Sequence, residues 1–405
     1  MSSDRANATV LAVECKRYGD DTELNTRELL GELLQAVGAI PQLDLWVLVA
    51  SRAVPDQLYS ALQDHADRLK IEVQILSLEA DGAGSLDILC AHGLDIVTSA
   101  IRAAKTPGIR GIGQELKRIT ADAEFARRCA DLKTQFTKSA GYDAARQRLR
   151  AWHRERFLSE AQSRVALGQP VDVDARLAQG LLVPRADASA EFDRWLGAWP
   201  ANRTSLAVLG EEGDGKTWAV ASWLSGRLSQ DASFPLTLWI SSREATGQDI
   251  DSLLGAVLAK RLGGRPDAWI ARLRRWGTPT DGDGPALLLV LDGVNERGDA
   301  SWWRPLIESL GVDPWQCAIA TVVTSRTGFW PSVGRFPHSR WSEWVVPAYN
   351  DLELALALEQ RGIQREQLPN DVLPLVRKPR YLELAVHHRL ASLSTVPEFA
   401  NNAND

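Results

Sequence analysis

Residues 210–217 constrain this chain more than any other part of the sequence. They read Gly-Glu-Glu-Gly-Asp-Gly-Lys-Thr, which matches the pattern G-x-x-x-x-G-K-[ST] in full. The apolar run 206–209 predicts a buried strand before them, and the residues after them predict a helix. Glycines let such a loop wrap so that its backbone N–H groups point at phosphate oxygens, and the helix adds its positive N-terminal end. The sequence therefore predicts an α/β domain built around a phosphate-binding loop.

The loop also predicts which ligand is bound and by which groups. Lys216 is expected to reach the β- and γ-phosphates of a nucleotide, and Thr217 to offer its hydroxyl to magnesium. The cofactors that the motif predicts are ATP or ADP and Mg²⁺. The predicted nucleotide-binding residues of this segment are Gly210, Glu211, Glu212, Gly213, Asp214, Gly215, Lys216, Thr217 and Trp218.

A second motif lies at the end of the apolar run 286–291. A run this continuous predicts a strand buried on both faces of a parallel sheet. Asp292 follows it directly, at the edge where open α/β sheets bind ligands, and is predicted to bind the magnesium. Glu296 is a candidate to orient and deprotonate an attacking water, and the alternative is a solvated loop carboxylate.

A third strand, predicted over 318–324, is followed by Arg326. This arginine is expected at the same sheet edge as Asp292, where it could sense a γ-phosphate through charge-assisted hydrogen bonds. The alternative is an ordinary surface arginine at a strand end.

The segments GEEGDGKT, LLLVLDGVNE and VVTSR together resemble the STAND NTPases, especially their NACHT-like branch and the bacterial antiviral ATPases. The distinguishing mark is a small residue after the strand-end acid, here Gly293, with Glu296 four positions after that acid. Asn295 stands where the family often has a second acid, which bears on hydrolysis and not on binding. The resemblance spans roughly residues 180–390, with the loop and the strand-end acid as its most specific parts.

The resemblance implies a switch, in which bound ADP holds a closed state and ATP exchange with oligomerisation opens it. It implies that Pro379, in the segment Lys-Pro-Arg-Tyr-Leu, lies in a small helical domain near the base or sugar. It implies that Arg185, in Val-Pro-Arg, belongs to a lead-in that covers adenine. A winged helix and a sensor region usually follow, so the end at Asp405 suggests a fragment or a shortened gene.

The N-terminal part, residues 1–100, alternates predicted strands and helices, which favours an α/β unit with some parallel pairing. Glu14 and Lys16 lie two apart on a predicted strand and so share a face. Such a pair can bind magnesium, here through Glu14, and polarise a water beside a phosphodiester. E-x-K spacing alone arises by chance in many charged strands.

The order strand, helix, strand around this pair resembles the Mrr-like group of PD-(D/E)xK restriction endonucleases over residues 8–90. The resemblance assigns catalytic roles to Glu14, Lys16 and, on the helix, Gln35. The family's first acid lies on an upstream strand, where only Asp4 stands. Either the N-terminus is truncated or the nuclease is incomplete and inactive.

Residues 101–165 carry 15 basic and 7 acidic side chains, an excess that the chain as a whole, at −6, does not share. This stretch could contact nucleic acid phosphates, and the alternative is a solvated helical linker. The predicted domains are a restriction-endonuclease-like domain over 1–100, a basic helical linker over 101–180, a P-loop NTPase domain with a doubly wound parallel sheet over 181–345, and a small helical domain over 346–405.

Cysteine spacing and hydropathy restrict the compartment. The four cysteines show no metal-ligand spacing, and the N-terminus lacks a basic segment followed by an apolar run. No apolar run approaches the roughly 18 residues of a membrane span. A cytoplasmic protein without a membrane partner is expected.

The combined prediction is an ATP-binding STAND-type switch that controls an N-terminal nuclease-like effector in antiphage defence. Its expected partners are nucleic acid, DNA before RNA, an unknown activator such as a phage protein, and further copies of itself on activation. One alternative is a regulatory ATPase whose dead nuclease fold binds DNA or a partner. A second is a motor or helicase loader with fast ATP turnover.

Overall fold

The computed structural model describes residues 9–17, 24–40, 43–69, 71–79, 83–104, 109–139, 141–157, 183–277, 284–336 and 340–387. Contacts divide the chain into one unit of Met1–Gln147 with Gly255–Arg272 and another of Arg148–Leu254 with Leu273–Asp405. Each unit contains one parallel sheet, in agreement with the predicted α/β class. Asp4, the upstream acid considered for the nuclease motif, lies outside the described residues.

The first unit has a three-stranded sheet in the order β1-β2-β3. The strands are β1 (Leu11–Lys16), β2 (Leu45–Ala50) and β3 (Glu72–Ser77), and both pairings are parallel. Helix α1 (Thr26–Ala39) connects the first two strands and α2 (Asp56–Leu69) the last two. Parallel neighbouring strands need such crossover helices, so the alternation of strands and helices in the sequence agrees with the parallel pairing of this sheet.

Helices cover both faces of this sheet. On one face, α1 and α2 place Leu29, Leu33 and Leu62 against Trp46 and Leu48. On the other, helices α3 (Ser85–His92), α4 (Leu94–Ala103), α5 (Ile109–Thr120) and α6 (Phe125–Ser139) follow the last strand, and their apolar residues join a core with the sheet. That core includes Leu45, Val47, Leu76, Ile88, Leu116, Ile119 and Leu132.

The range 101–180, predicted as a basic linker, therefore contains helices that belong to the core of the first unit. A parallel sheet is buried on both faces, and the apolar sides of α5 and α6 supply the second cover. Arg118 and Arg127 are exposed, and Arg118 pairs with Glu115 while Arg127 pairs with Glu124 and Asp131. These pairs neutralise two of the basic side chains locally and leave the net basic excess of the stretch unchanged.

The second unit has a five-stranded sheet in the order β5-β6-β7-β4-β8, with every pairing parallel. Its strands are β4 (Ser205–Leu209), β5 (Leu236–Ser241), β6 (Leu287–Asp292), β7 (Ile319–Ser325) and β8 (Trp341–Val345). The first four are buried along their whole length, as their continuous apolar runs predict. Because β7 lies between β4 and β6, the carboxyl ends of three adjacent strands meet at one edge.

The remaining helices follow in chain order. They are α7 (Tyr142–Trp152), α8 (Ala186–Asn202), α9 (Lys216–Gln230), α10 (Ile250–Leu262), α11 (Pro266–Trp276), α12 (Ala300–Leu310), α13 (Trp315–Ala318), α14 (Trp330–Gly334), α15 (Asp351–Glu359), α16 (Leu373–Val376) and α17 (Pro379–His387), with a π-helical turn at His153–Phe157 and a 3₁₀ turn at Arg365–Gln367. Helices α7, α10 and α11 each cross a boundary between the two units. No helix in the described ranges is long and apolar enough to cross a membrane.

Hydrophobic cores on and beside the second sheet are seen in the described ranges. The larger lies between the sheet and helices α8 and α9, and it is rich in aromatic side chains, among them Phe192, Trp199, Trp223 and Trp239. A smaller core joins α15, α16 and α17 through Leu354, Leu358, Val376 and Leu382. Val183, which precedes α8, belongs to this smaller core. The small helical segment predicted after residue 345 is thus packed as a group of its own.

Adjacent leucines on α1 provide a test of the first core. Leu33 is fully buried against the sheet, whereas Leu34 is 51% exposed. Leu33→Ala should lower the free energy of unfolding by about 2–5 kcal/mol, because it leaves a cavity, and Leu34→Ala by less than about 1 kcal/mol. Urea-dependent hydrogen exchange of β2 peptides in the full chain measures both. Equal losses for the two variants would contradict the assigned packing.

Candidate nucleotide-binding site

The loop that follows β4 has the conformation that its glycines allow. Gly213 and Gly215 adopt φ values of +85° and +86°, in the left-handed region that side chains with a Cβ rarely enter. A Cβ at Gly213 would lie 2.8 Å from the Cβ of Arg380, and one at Gly215 would lie 3.2 Å from Cγ of Pro379. The glycines therefore permit both the turn of the loop and the close approach of α17.

Lys216 begins helix α9 directly after the loop. Its ammonium group donates hydrogen bonds to the carbonyl oxygens of Gly210, at 3.0 Å, and Glu211, at 2.8 Å. Burial lowers the pKa of Lys216, while the nearby carboxylates of Asp214 and Asp292 act in the opposite direction. A cation held over a loop by backbone carbonyls is placed to meet an anion there.

Thr217 and Asp292 meet as the two sequence motifs predicted. The Thr217 hydroxyl donates to Oδ1 of Asp292 at 2.9 Å, and the Thr324 hydroxyl donates to the same oxygen at 2.6 Å. Oδ2 of Asp292 accepts no hydrogen bond from the described part of the chain, which leaves one oxygen for a cation. Burial raises the pKa of Asp292 to about 6, and the charge of Glu296 adds to the increase.

Thr324 is a site residue that the sequence reasoning did not single out. Its side chain is buried near the end of β7, where Oγ1 both donates to Asp292 and accepts from the backbone N–H of Gly293, at 2.8 Å. These two bonds fix the carboxylate and the start of the following turn. The available signal was the set of hydroxyl residues in β7, Thr321, Thr324 and Ser325, because a buried polar group needs a partner.

Gly293 and Glu296 form a tight turn after Asp292. Gly293 has a φ of +70°, and a Cβ there would lie 2.9 Å from the carboxyl carbon of Glu296. The backbone N–H of Glu296 donates to the carbonyl of Gly293 at 2.8 Å. The small residue after Asp292 thus lets the carboxylate of Glu296 fold back to the cavity, where it stays exposed.

Arg326 lies at the predicted sheet edge, and its partners are now defined. Nη2 of Arg326 donates to Oε2 of Glu212 at 2.8 Å, while its backbone N–H donates to Oδ1 of Asn295 at 3.0 Å. Arg380 donates to the other carboxylate oxygen of Glu212. One loop carboxylate therefore joins two arginines, and Asn295 positions the segment that carries one of them.

Residues 378–380 contact the loop directly. Lys378 lies 3.0 Å from Oδ1 of Asp214, and the backbone N–H of Arg380 donates to the carbonyl of Gly213 at 3.2 Å. Pro379 lies between them and lines the cavity. The structure therefore places the proline segment beside the phosphate loop, while its predicted contact with the base or sugar stays a prediction.

Arg185 has structural partners. Its Nε donates to Glu353 at 2.9 Å, its Nη2 donates to the carbonyl of Pro347 at 2.5 Å, and its guanidinium lies 5.2 Å from the ring centre of Tyr349. These contacts join the segment before α8 to the small helical segment. Arg185 also lines the cavity, and its predicted role over adenine stays a prediction.

A cavity of about 860 Å³ collects these groups, a size within the range of small-ligand sites. Among the predicted residues, Lys216, Thr217, Trp218, Asp292 and Glu296 line it. Glu212, Gly213, Gly215, Arg326, Arg185 and Pro379 line it too, whereas Gly210, Glu211 and Asp214 are not among the lining residues. The loop has no room for a Cβ at Gly213 or Gly215, and a lysine, a hydroxyl and a carboxylate lie beside it. These groups fit a nucleotide with magnesium.

The E-x-K pair of the first unit lies on one face of β1, as predicted. The ammonium of Lys16 is 3.6 Å from Glu14 and 3.1 Å from Glu28, and it also pairs with Glu32. Partial burial and the neighbouring Glu32 raise the pKa of Glu14. One lysine thus pairs with three carboxylates, which together carry more charge than it can neutralise.

Gln35 is exposed and forms no bond to Lys16 or Glu14 within the described ranges, so the helix contributes glutamates to this cluster. The described part of the chain also contains no group of three or more His, Cys, Asp or Glu side chains with the geometry of a metal site. The catalytic role of Gln35 stays a prediction.

Comparison with solved structures gives distant likenesses. ORC1 from Aeropyrum pernix, solved with DNA, matches 55% of this chain and 65% of its own at 18% identity and a TM-score of 0.33. Drosophila ORC, bound to poly(dA/dT) DNA and Cdc6, matches 54% and 36% at 12% identity and a TM-score of 0.35. NtrX from Brucella abortus, solved with ATP, matches 88% and 69% at 12% identity and a TM-score of 0.31.

The matched regions span less than two thirds of the ORC1 and ORC chains. Neither a family model nor a curated protein matches the sequence. At TM-scores this low the likenesses carry no functional argument. The geometry of the loop, the strand-end aspartate and the parallel sheet shows that the second unit has a P-loop NTPase fold.

Proposed function

We propose that the second unit binds ATP and ADP with Mg²⁺ and hydrolyses ATP slowly. The hydrogen bond between Thr217 and Asp292 carries this proposal, because it joins the residue after the phosphate loop to the acid at the end of β6. In P-loop proteins a hydroxyl and a carboxylate so placed share one magnesium ion. The raised pKa of Asp292 supports a functional role, because such shifts cluster at sites that bind or react.

The residues of the site divide the task. Loop amides and Lys216 bind the phosphates, Thr217 and Asp292 hold Mg²⁺, and Thr324 keeps the carboxylate in position. Bound Mg²⁺ supplies positive charge to the phosphate oxygens. Glu296, exposed at the cavity, orients and deprotonates the attacking water. Asn295 bonds to the backbone of Arg326, so Glu296 is the one acid of the turn 293–296, which supports slow turnover.

The contacts of residues 378–380 favour a switch over a motor. Lys378 and Arg380 bond to the same loop that surrounds the phosphates, so a change in that loop reaches the small helical segment. Ligand switches work through local charge changes of this kind. We therefore propose a STAND-type switch in antiphage defence that assembles several copies when an activator, such as a phage protein, is present.

For the first unit we propose a nuclease-like effector that acts on nucleic acid, with DNA as the first substrate to test. Support comes from Glu14 and Lys16 on one face of a strand that is followed by a helix and a parallel strand. The bonds of Lys16 to Glu28 and Glu32 favour the second candidate, a dead nuclease fold that binds DNA or a partner.

Nucleotide binding is tested by Lys216→Ala. Loss of a charge-assisted contact to phosphate should weaken affinity for ATP with Mg²⁺ by about 10- to 100-fold. Titration calorimetry of the full chain measures this, with Lys260→Ala, an exposed lysine of α10, as the matched control. Unchanged affinity in Lys216→Ala would contradict the assigned site.

The pKa of Asp292 predicts how Mg²⁺-dependent binding varies with pH. A carboxyl with a pKa of about 6 is mostly ionised at pH 7.5 and only about one tenth ionised at pH 5. Because a proton and the cation compete for it, the affinity advantage of the wild type over Asp292→Asn should shrink about tenfold as pH falls between these values. Titration of the nucleotide itself is common to both proteins and cancels in their ratio. A ratio independent of pH would refute this role.

The nuclease proposal predicts magnesium-dependent cleavage of plasmid DNA in the presence of ATP and activator. Lys16→Ala should abolish cleavage while leaving DNA binding within about twofold, because the lysine acts in chemistry. Arg27→Ala, which removes an exposed basic group of α1, is the control for charge alone. A wild type that binds DNA and never cuts it would support the dead-fold alternative instead.

A further inference from the structure

We propose that Arg326 and Arg380 form the subsite for the terminal phosphate of ATP, and that Glu212 competes with that phosphate for both guanidinium groups. The inference rests on the proposed nucleotide binding and extends it in two ways. It adds Arg380, a residue outside the predicted set, as a phosphate ligand. It also makes Glu212 a determinant of the preference between triphosphate and diphosphate.

The contacts of Glu212 are the first observation. Oε2 accepts a hydrogen bond from Nη2 of Arg326 at 2.8 Å, and Oε1 pairs with Nη1 of Arg380. The two arginines come from different elements, the end of β7 and the first turn of α17, and they converge on one carboxylate. Guanidinium groups bind carboxylate and phosphate oxygens with the same planar fork. A pair that binds a carboxylate in this way is therefore also suited to a phosphate.

The position of Arg380 is the second observation. Its backbone N–H donates to the carbonyl of Gly213 at 3.2 Å, so the residue is attached to the loop that surrounds the phosphates. Its side chain, Glu212, Arg326 and Lys216 all line the same cavity. Both arginines contact a residue of this loop, so they lie close enough to reach the terminal phosphate of the nucleotide. Lys216, which is expected to contact the β- and γ-phosphates, lies in the same cavity.

The strength of these ion pairs decides whether the arginines bind the Glu212 carboxylate or the terminal phosphate. The side chains of Glu212, Arg326 and Arg380 are 42%, 50% and 39% exposed, and ion pairs this accessible to water are weak. A terminal phosphate carries more charge than a carboxylate, and loop amides and Lys216 hold it in place. It can displace Glu212 from both arginines, whereas ADP lacks the group that would do so.

Glu359 offers a control of the same charge outside the cavity. It is exposed at the end of α15, and its carboxylate pairs with no arginine in the described part of the chain. Replacing either glutamate by glutamine changes the net charge of the chain by the same amount. Only removal of Glu212 frees the two arginines, and a chain without both arginines controls for the local field.

The test compares affinities for a non-hydrolysable ATP analogue and for ADP, both with Mg²⁺, by titration calorimetry of the full chain. Glu212→Gln should bind the ATP analogue about tenfold more tightly, a change equivalent to about 1.4 kcal/mol, and ADP within about twofold. Glu359→Gln should change both affinities by less than about twofold. In a chain that also carries Arg326→Ala and Arg380→Ala, Glu212→Gln should have no further effect on the ATP analogue.

The possible failures are distinguishable. If the wild type binds neither nucleotide, the proposed function and this inference are both overturned. If the wild type binds nucleotide but Glu212→Gln shifts both ligands by one factor, only the competition is overturned. The same holds if Glu359→Gln has an equal effect, or if the gain persists when both arginines are absent.

Discussion

The site depends on one carboxylate oxygen, Oδ1 of Asp292, which accepts hydrogen bonds from Thr217 and Thr324 at the same time. The two hydroxyls come from the start of α9 and the end of β7, so a single acceptor joins the phosphate loop to the ends of two strands. This arrangement needs β7 between β4 and β6, as the sheet order provides. Burial raises the pKa of this carboxylate to about 6, and its second oxygen accepts no hydrogen bond from the described part of the chain.

The sequence predicted those parts of the structure that depend on residues close together in the chain. The loop pattern with its flanking strand and helix predicted the meeting of Thr217 and Asp292, because carboxyl ends of parallel strands share an edge. Continuous apolar runs predicted the buried strands of the second sheet. Alternation of strand and helix predicted the α/β class of the first unit, and the structure confirms this.

Other features depend on partners that are distant in the sequence. Thr324 is recognisable as a site residue only once β7 is known to neighbour β6, and Arg380 only once α17 is placed on the loop. The contact between Arg185 and Glu353 joins residues far apart in the chain. Likewise, α5 and α6 look like a charged linker by composition, yet their apolar sides complete a core whose other half is the first sheet. A local sequence pattern shows which apolar residues a segment can bury. It does not show which other segment will pack against them.

Backbone hydrogen exchange of the full chain with saturating ADP and Mg²⁺ tests the central claim most directly, because it locates the ligand on the chain. Phosphate oxygens that accept bonds from loop amides slow their exchange, so peptides covering residues 210–217 should gain protection, and those of β2 in the first unit should not. Protection elsewhere with the loop unchanged, at nucleotide concentrations that saturate binding, would contradict the account.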